Sequence, residues 1–333
     1  MSVEKIISDW EKRVFKPVYW LEGEEEYFID KVMHYAEHKI LSEAEAGFNL
    51  TVFYGRDASW ADVINACRRY PMFAERQVVL LKEAQQMREI DKLEPYIDAP
   101  SSTTVFVVSY KDKKVDGRSK LAKLLKEKGV MLTTKRMYED KVPQWTHEMV
   151  KGKGYAISEK AARLLVDHTG NDLSRIENEV EKILVNLGKK KTITEEDIEA
   201  FIGISKDYNV FELQAAIATR DLPKALRIIQ YFGANPKAGP IQLVLPSLYG
   251  YFSKVFMIHG LNTRDEKVIA ASAGIPPFFV KDYLVAARNF DYQGTERILL
   301  LLHEYNLKSI GVHHVDTEDA SLLKEMVVKM MQP

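Results

Sequence analysis

Apolar positions follow two rhythms along this chain. Over roughly the first 140 residues, short apolar runs alternate with amphipathic stretches. The runs at 18–21, 50–54, 77–81, 104–109 and 130–134 predict strands, the last four being rich in β-branched or aromatic residues. Helical spacing fills the gaps at 25–40, 60–69, 90–96 and 118–128. Strand starts recur about every 25–30 residues, as in successive βα units. The expectation is an α/β domain with a parallel sheet and helices on both faces.

After Pro143 the strand signals stop and the period becomes helical throughout. A stretch at 157–168 has Ser158 as a plausible N-cap, and a second at 173–187 is ended by Gly188. Thr194 and Asp197 have the spacing of a capping box, with Asp where Glu is usual, ahead of a short helix at 198–202. These pieces form a small helical unit. Longer helices follow at 210–219, 222–232, 241–261, 266–273, 277–289, 295–308 and 317–331, separated by Gly and Pro. Spacings such as Leu299, Leu302 and Tyr305 predict a packed bundle.

Composition narrows the function classes. Hydrophobic content of 46%, charged content of 29% and a net charge of −1 are those of an ordinary globular chain, with no global bias toward nucleic acid or membrane. A single cysteine, Cys67, excludes an intramolecular disulfide and a cysteine-based zinc site. The amphipathic N-terminus lacks a signal-type apolar core, and no run of about 18 apolar residues is present, so the expected location is the cytoplasm, with no membrane span.

The stretch VYWLEGEEEY at residues 18–27 is laid out like a phosphate-binding turn, a strand running through Gly23 into a helix. A working P-loop needs further glycines, a Lys for the terminal phosphates and a Ser or Thr for Mg²⁺. Here Glu24, Glu25 and Glu26 occupy the helix start. They suit the helix dipole and would repel a triphosphate. The turn therefore reads as a degenerate P-loop, and no cofactor is expected.

No catalytic or metal motif survives inspection. The pair His313 and His314 diverges on a helix, His34 and His38 lack further ligands, and three consecutive glutamates point in different directions. The basic clusters at 111–114, 118–128 and 189–191 read as solvated helix ends and loops, with phosphate tracking as the alternative. The segment RRYPMFAER at 68–76 is more informative. Pro71 should stop the preceding helix, which leaves Met72 and Phe73 in the connection to the next strand. Either the pair folds back into the core, or it protrudes as an apolar wedge with Arg68, Arg69, Glu75 and Arg76 as a polar rim.

Taken in order, VYWLEGEEEYFID, RRYPMFAERQVVLLKEA, TTVFVVSYKDKKVDGRSKLAKLLKEKG, TGNDLSRIENEVEKILV, ITEEDIEAFIGISKDYNVFELQAAI and LLHEYNLKS resemble the delta subunits of bacterial DNA polymerase III, a component of the sliding-clamp loader. The resemblance spans nearly the whole chain. It implies an AAA+-like α/β domain over 1–142 without ATPase competence, a lid-like helical domain over 143–206, and a helical collar over 207–333 used for oligomerisation. Met72 and Phe73 match the family's clamp-contacting apolar pair, usually Leu-Phe, with Arg69, Pro71 and Arg76 flanking, and this favours the wedge. The implied partners are the beta sliding clamp, the ATP-binding gamma/tau subunits, the delta-prime subunit and primed DNA in the replisome. The chain would be no enzyme on its own, although the holoenzyme is a DNA-directed DNA polymerase. A plain scaffold built on the same degenerate domain is the alternative. One cysteine and no P-loop separate this chain from the other loader subunits.

Overall fold

The computed structural model describes residues 1–138, 141–205, 207–261, 263, 265–312 and 318–332. The chain divides into two compact units, Met1–Met137 and Tyr138–Pro333.

In the first unit the elements run α1 (Val3–Glu11), β1 (Val18–Gly23), α2 (Glu26–Lys39), α3 (Glu43–Asn49), β2 (Leu50–Tyr54), α4 (Trp60–Cys67), β3 (Gln77–Lys82), α5 (Glu94–Asp98), β4 (Thr104–Lys111), α6 (Lys120–Lys128) and β5 (Val130–Thr134). All five strands pair in parallel, in the order β2-β3-β4-β1-β5. The first strand therefore sits between the fourth and the fifth, with Leu21 opposite Ser109 on one side and Leu132 on the other. Strands alternate their side chains between two apolar layers. Tyr19, Leu21, Val78, Leu80, Val105 and Val107 pack under Val3, Ile6, Trp10 of α1 and Ile29, Val32, Met33 of α2. Val18, Trp20, Val79, Leu81, Phe106 and Val108 pack under α4, α5 and α6. Burial on both faces explains why these strands read as continuous apolar runs.

The strands lie where the apolar runs place them, but two expectations on the helices change. The stretch at 90–96 splits into a 3₁₀ turn (Ile90–Leu93) and α5, because Pro95 sits in the first turn of α5, where a proline is tolerated. Helix α3 was not anticipated at all. Its signal was present as Ser42-x-x-Glu45: the Ser42 backbone and hydroxyl donate to the Glu45 carboxylate at 2.9 and 2.7 Å, and the Glu45 N–H returns to the hydroxyl.

The second unit opens with α7 (Val142–Gly152), β6 (Ala156–Ile157), α8 (Glu159–Thr169), α9 (Leu173–Asn186), β7 (Thr192–Ile193) and α10 (Glu195–Ile202). Pro143 sits in the first turn of α7, and strand pairing does not end there: β6 and β7 form a two-residue parallel pair. Pieces that short carry no periodic signal. Ser158 caps α8 by accepting from the Ala161 N–H, and the Asp197 carboxylate accepts from Thr194 N and Oγ1 at 2.9 and 3.1 Å.

Seven α-helices follow among the described residues, α11 (Val210–Ala218), α12 (Leu222–Ala234), α13 (Ile241–Gly260), α14 (Glu266–Ala273), α15 (Val280–Asn289), α16 (Tyr292–Ser309) and α17 (Asp319–Met331). They share one apolar core. Helix α13 is long and apolar enough to meet the length and composition test for a membrane span, which the sequence reading missed. Its Ile241, Val244, Leu245, Leu248, Tyr251, Phe252, Val255 and Ile258 are buried, and α11, α15, α16 and α17 pack against it. That is the pattern of the central helix of a bundle.

Candidate functional site

Two places in the first unit carry the candidate residues: the turn after β1 and the loop between α4 and β3. At the turn, Gly23 has φ +127°, and a Cβ there would lie 2.1 Å from the Thr134 carbonyl oxygen. The strand end is thus pressed against β5, and only glycine fits. The Glu25 N–H, which a phosphate cradle would direct at its ligand, donates to Thr134 Oγ1 at 3.2 Å. Buried Glu22 is also engaged, accepting from Trp20 Nε1 at 3.2 Å, Val115 N at 3.1 Å and Thr133 Oγ1 at 3.3 Å.

The three glutamates part company. Glu24 is exposed, and buried Glu25 accepts from the Met137 N–H at 3.3 Å. Glu26 pairs with Lys111 at 2.9 Å, and Asp30 meets the same ammonium at 2.8 Å. Burial alone would lower the Lys111 pKa, but hydrogen bonds and charge from Asp30 and Glu26 outweigh it and hold the ammonium above its ordinary range. The three glutamates do not converge on one point, and among the described residues no cluster of three or more His, Cys, Asp or Glu could hold a metal.

The second place is built by the ends of three elements. Helix α4 stops at Cys67, and the chain leaves it through Arg69, Tyr70 and Pro71. Buried Gln77, the first residue of β3, donates to the Ala66 and Arg69 carbonyls at 3.0 and 2.7 Å and to Thr104 Oγ1 at 2.9 Å, which fixes the foot of the loop. At the tip, the Met72 N–H donates to Asn49 Oδ1 at 2.7 Å, and Asn49 Nδ2 donates to the Met72 carbonyl at 2.9 Å. The side chains face water: Met72 is 54% exposed, Phe73 95% and Tyr70 85%. Phe73 has φ +56°, a left-handed backbone that a bulky residue seldom adopts.

Of the flanking residues, Arg69 is exposed and Pro71 half-buried. Arg76 turns inward, its guanidinium 4.2 Å from the centre of the Phe15 ring and 3.6 Å from Glu75. It therefore braces the loop against the N-terminal segment and stands apart from an open polar rim. Sequence reasoning missed Asn49, and also Phe48 beside it on α3, which is 69% exposed.

Residues 19–135, which contain both places, match the sequence model of the family described as DNA polymerase III, delta subunit. The chain is 27% identical over 308 residues to a DNA polymerase III subunit delta of Bacillus subtilis, covering 88% of each. It is 26% identical over 301 residues to a probable DNA polymerase III subunit delta of Aquifex aeolicus, covering 84% of this chain and 83% of that one. On these matches the chain is similar to DNA polymerase III delta subunits. In structure it is similar to the Bacillus subtilis DNA clamp loader delta protein, at 24% identity with a TM-score of 0.56 over 99% of both chains, so the fold is shared end to end.

The other sequence candidates have local employment. His34 and His38 lie ring against ring, 4.5 Å between centroids. His313 and His314 lie outside the described residues. In the basic clusters, Lys111 is paired as above, Lys120 meets Glu94 at 3.4 Å, Lys190 meets Asp197 at 2.9 Å, and Lys191 lies over the Tyr155 ring. Cys67 is buried, and burial pushes its thiol pKa far up, so it stays protonated.

Proposed function

We propose that this delta-family chain is the clamp-binding member of a clamp loader, working in the cytoplasm on the beta sliding clamp. The observation that carries this is the loop tip: Phe73 is 95% exposed, yet the backbone around it is held by buried side chains. A large ring kept in water on a fixed support gains nothing for this chain's own stability. It suits an anchor that enters a pocket on a partner. Met72 beside it is adaptable in shape. Burying both fully would contribute roughly 1.5–3 kcal/mol each before entropy costs, enough to anchor an interface and too little to supply all of it.

The work is binding, without bond chemistry. A ring closed by weak interfaces opens when a partner prefers the open form, and it opens only by that difference in affinity. Met72 and Phe73 would seat in an apolar pocket of the clamp while neighbouring residues press on a ring interface. The first unit is AAA+-like in this reading, and its turn at Gly23, Glu24, Glu25 and Glu26 holds no triphosphate, because the Glu25 N–H is already used by Thr134. ATP would act through the gamma/tau subunits. Helices α7–α10 would form the lid, and α11–α17 the collar that meets gamma/tau and delta-prime, bringing the complex to primed DNA.

The test is titration of full-length chain against the beta clamp. Met72→Ala with Phe73→Ala should keep its fold by circular dichroism and bind about a hundredfold more weakly, as a loss near 3 kcal/mol requires. Unchanged affinity would remove the wedge and leave a scaffold on a degenerate nucleotide-type domain.

A further inference from the structure

Asn49 closes α3 and is only 2% exposed, although it stands at the root of an exposed apolar loop. Its amide is engaged at both ends: Oδ1 accepts from Met72 N at 2.7 Å, and Nδ2 donates to Met72 O at 2.9 Å and to Glu45 O at 3.0 Å. A carboxamide offers an acceptor and a donor side by side, so it can satisfy both polar groups of one backbone residue. Asp at this position could accept but not donate. Met72 is thereby paired as a strand residue would be, where no strand runs.

The next residue, Phe73, holds its left-handed φ of +56° with its ring in solvent. Its own packing does not impose that conformation. Such backbones persist where the surroundings over-determine them, and here Asn49 grips the tip while Gln77 grips the foot at Arg69.

We infer that Asn49 is a positioning residue for clamp recognition, holding Met72 and Phe73 in the shape that binds before the partner arrives. This rests on the wedge reading above. An anchor competent only part of the time binds with an affinity reduced by that fraction. Releasing the grip therefore weakens binding without removing any atom from the contact surface.

The experiment uses the full-length chain as wild type, Asn49→Ala, Asn49→Asp and Phe73→Ala. Amide hydrogen exchange over residues 70–76 is measured without partner, and the beta clamp is then titrated. Asn49→Ala should speed exchange in this segment about tenfold or more and weaken clamp binding about tenfold. Asn49→Asp, which keeps the acceptor but sets a buried carboxylate oxygen against the Met72 and Glu45 carbonyls, should exceed Asn49→Ala in both readouts. Should Asn49→Ala also open β1 and β4 to exchange, the exchange at 70–76 relative to that in β1 and β4 carries the comparison. Unchanged exchange at 70–76 overturns the inference. So does faster exchange with affinity held within twofold while Phe73→Ala loses binding. If Phe73→Ala binds as wild type does, the wedge reading falls, and the role of Asn49 falls with it.

Discussion

Single residues at the two candidate places obey opposite rules. Gly23 is fixed by space: its φ of +127° and the Thr134 carbonyl 2.1 Å from a would-be Cβ leave no room for a side chain. Gly23→Ala should therefore cost at least about 2 kcal/mol, read as a lower urea midpoint, through strain and overpacking together. A variant as stable as wild type would mean that β1 and β5 separate easily at this end. Phe73, by contrast, is free in space and unusual only in its backbone. The defects of the turn were legible in the sequence, since missing Lys, Ser and Gly can be counted along a line. The occupation of the Glu25 N–H was not, because Thr134 lies 109 positions away and pairing between β1 and β5 brings it there. Pro71, Met72 and Phe73 could be read as a loop, but whether the pair folds inward or faces water could not, since the exposed tip is held by Asn49 from another element, which periodicity does not encode.

At the scale of elements, what was readable depended on length and burial. Strands covered on both faces announce themselves as apolar runs, and the long bundle helices by their period. Helix α3, of 7 residues, was missed because it is too short to show a period, and only its cap declared it. Helix α8 offers a test through pH. His168 near its end is half-buried, and burial first, then the positive charge of Arg175, depresses its pKa, against a smaller pull from Glu179. In the unfolded chain the imidazole takes up a proton near its ordinary value of 6.5, while in the folded chain it does so at lower pH. Stability tied to this residue is thus present above pH 6.5 and is lost as pH falls below it. His168→Gln should narrow the gap between urea midpoints at pH 7.5 and about pH 5.5. An equal gap in both proteins would show that His168 does not carry the acid sensitivity.

For the molecule as a whole, the placement of the candidate residues follows from the division into Met1–Met137 and Tyr138–Pro333. Both apolar layers of the sheet are completed by residues of the first unit, from Val3 to Leu132 in one and from Val18 to Met131 in the other. The turn at Gly23, the exposed Met72 and Phe73, Asn49 and Gln77 all lie within it too, so every contact described around the loop tip is internal to that unit. A chain of 137 residues with a two-sided sheet core is also within the usual size of an independent domain. Residues 1–137 produced alone should therefore unfold cooperatively, keep slow amide exchange in β1 and β4, and bind the beta clamp within about threefold of the full-length chain. The same fragment carrying Phe73→Ala should lose that binding. A fragment that folds but binds far more weakly than the full chain would place part of the clamp contact beyond residue 137, and the apolar pair would then be one anchor among several.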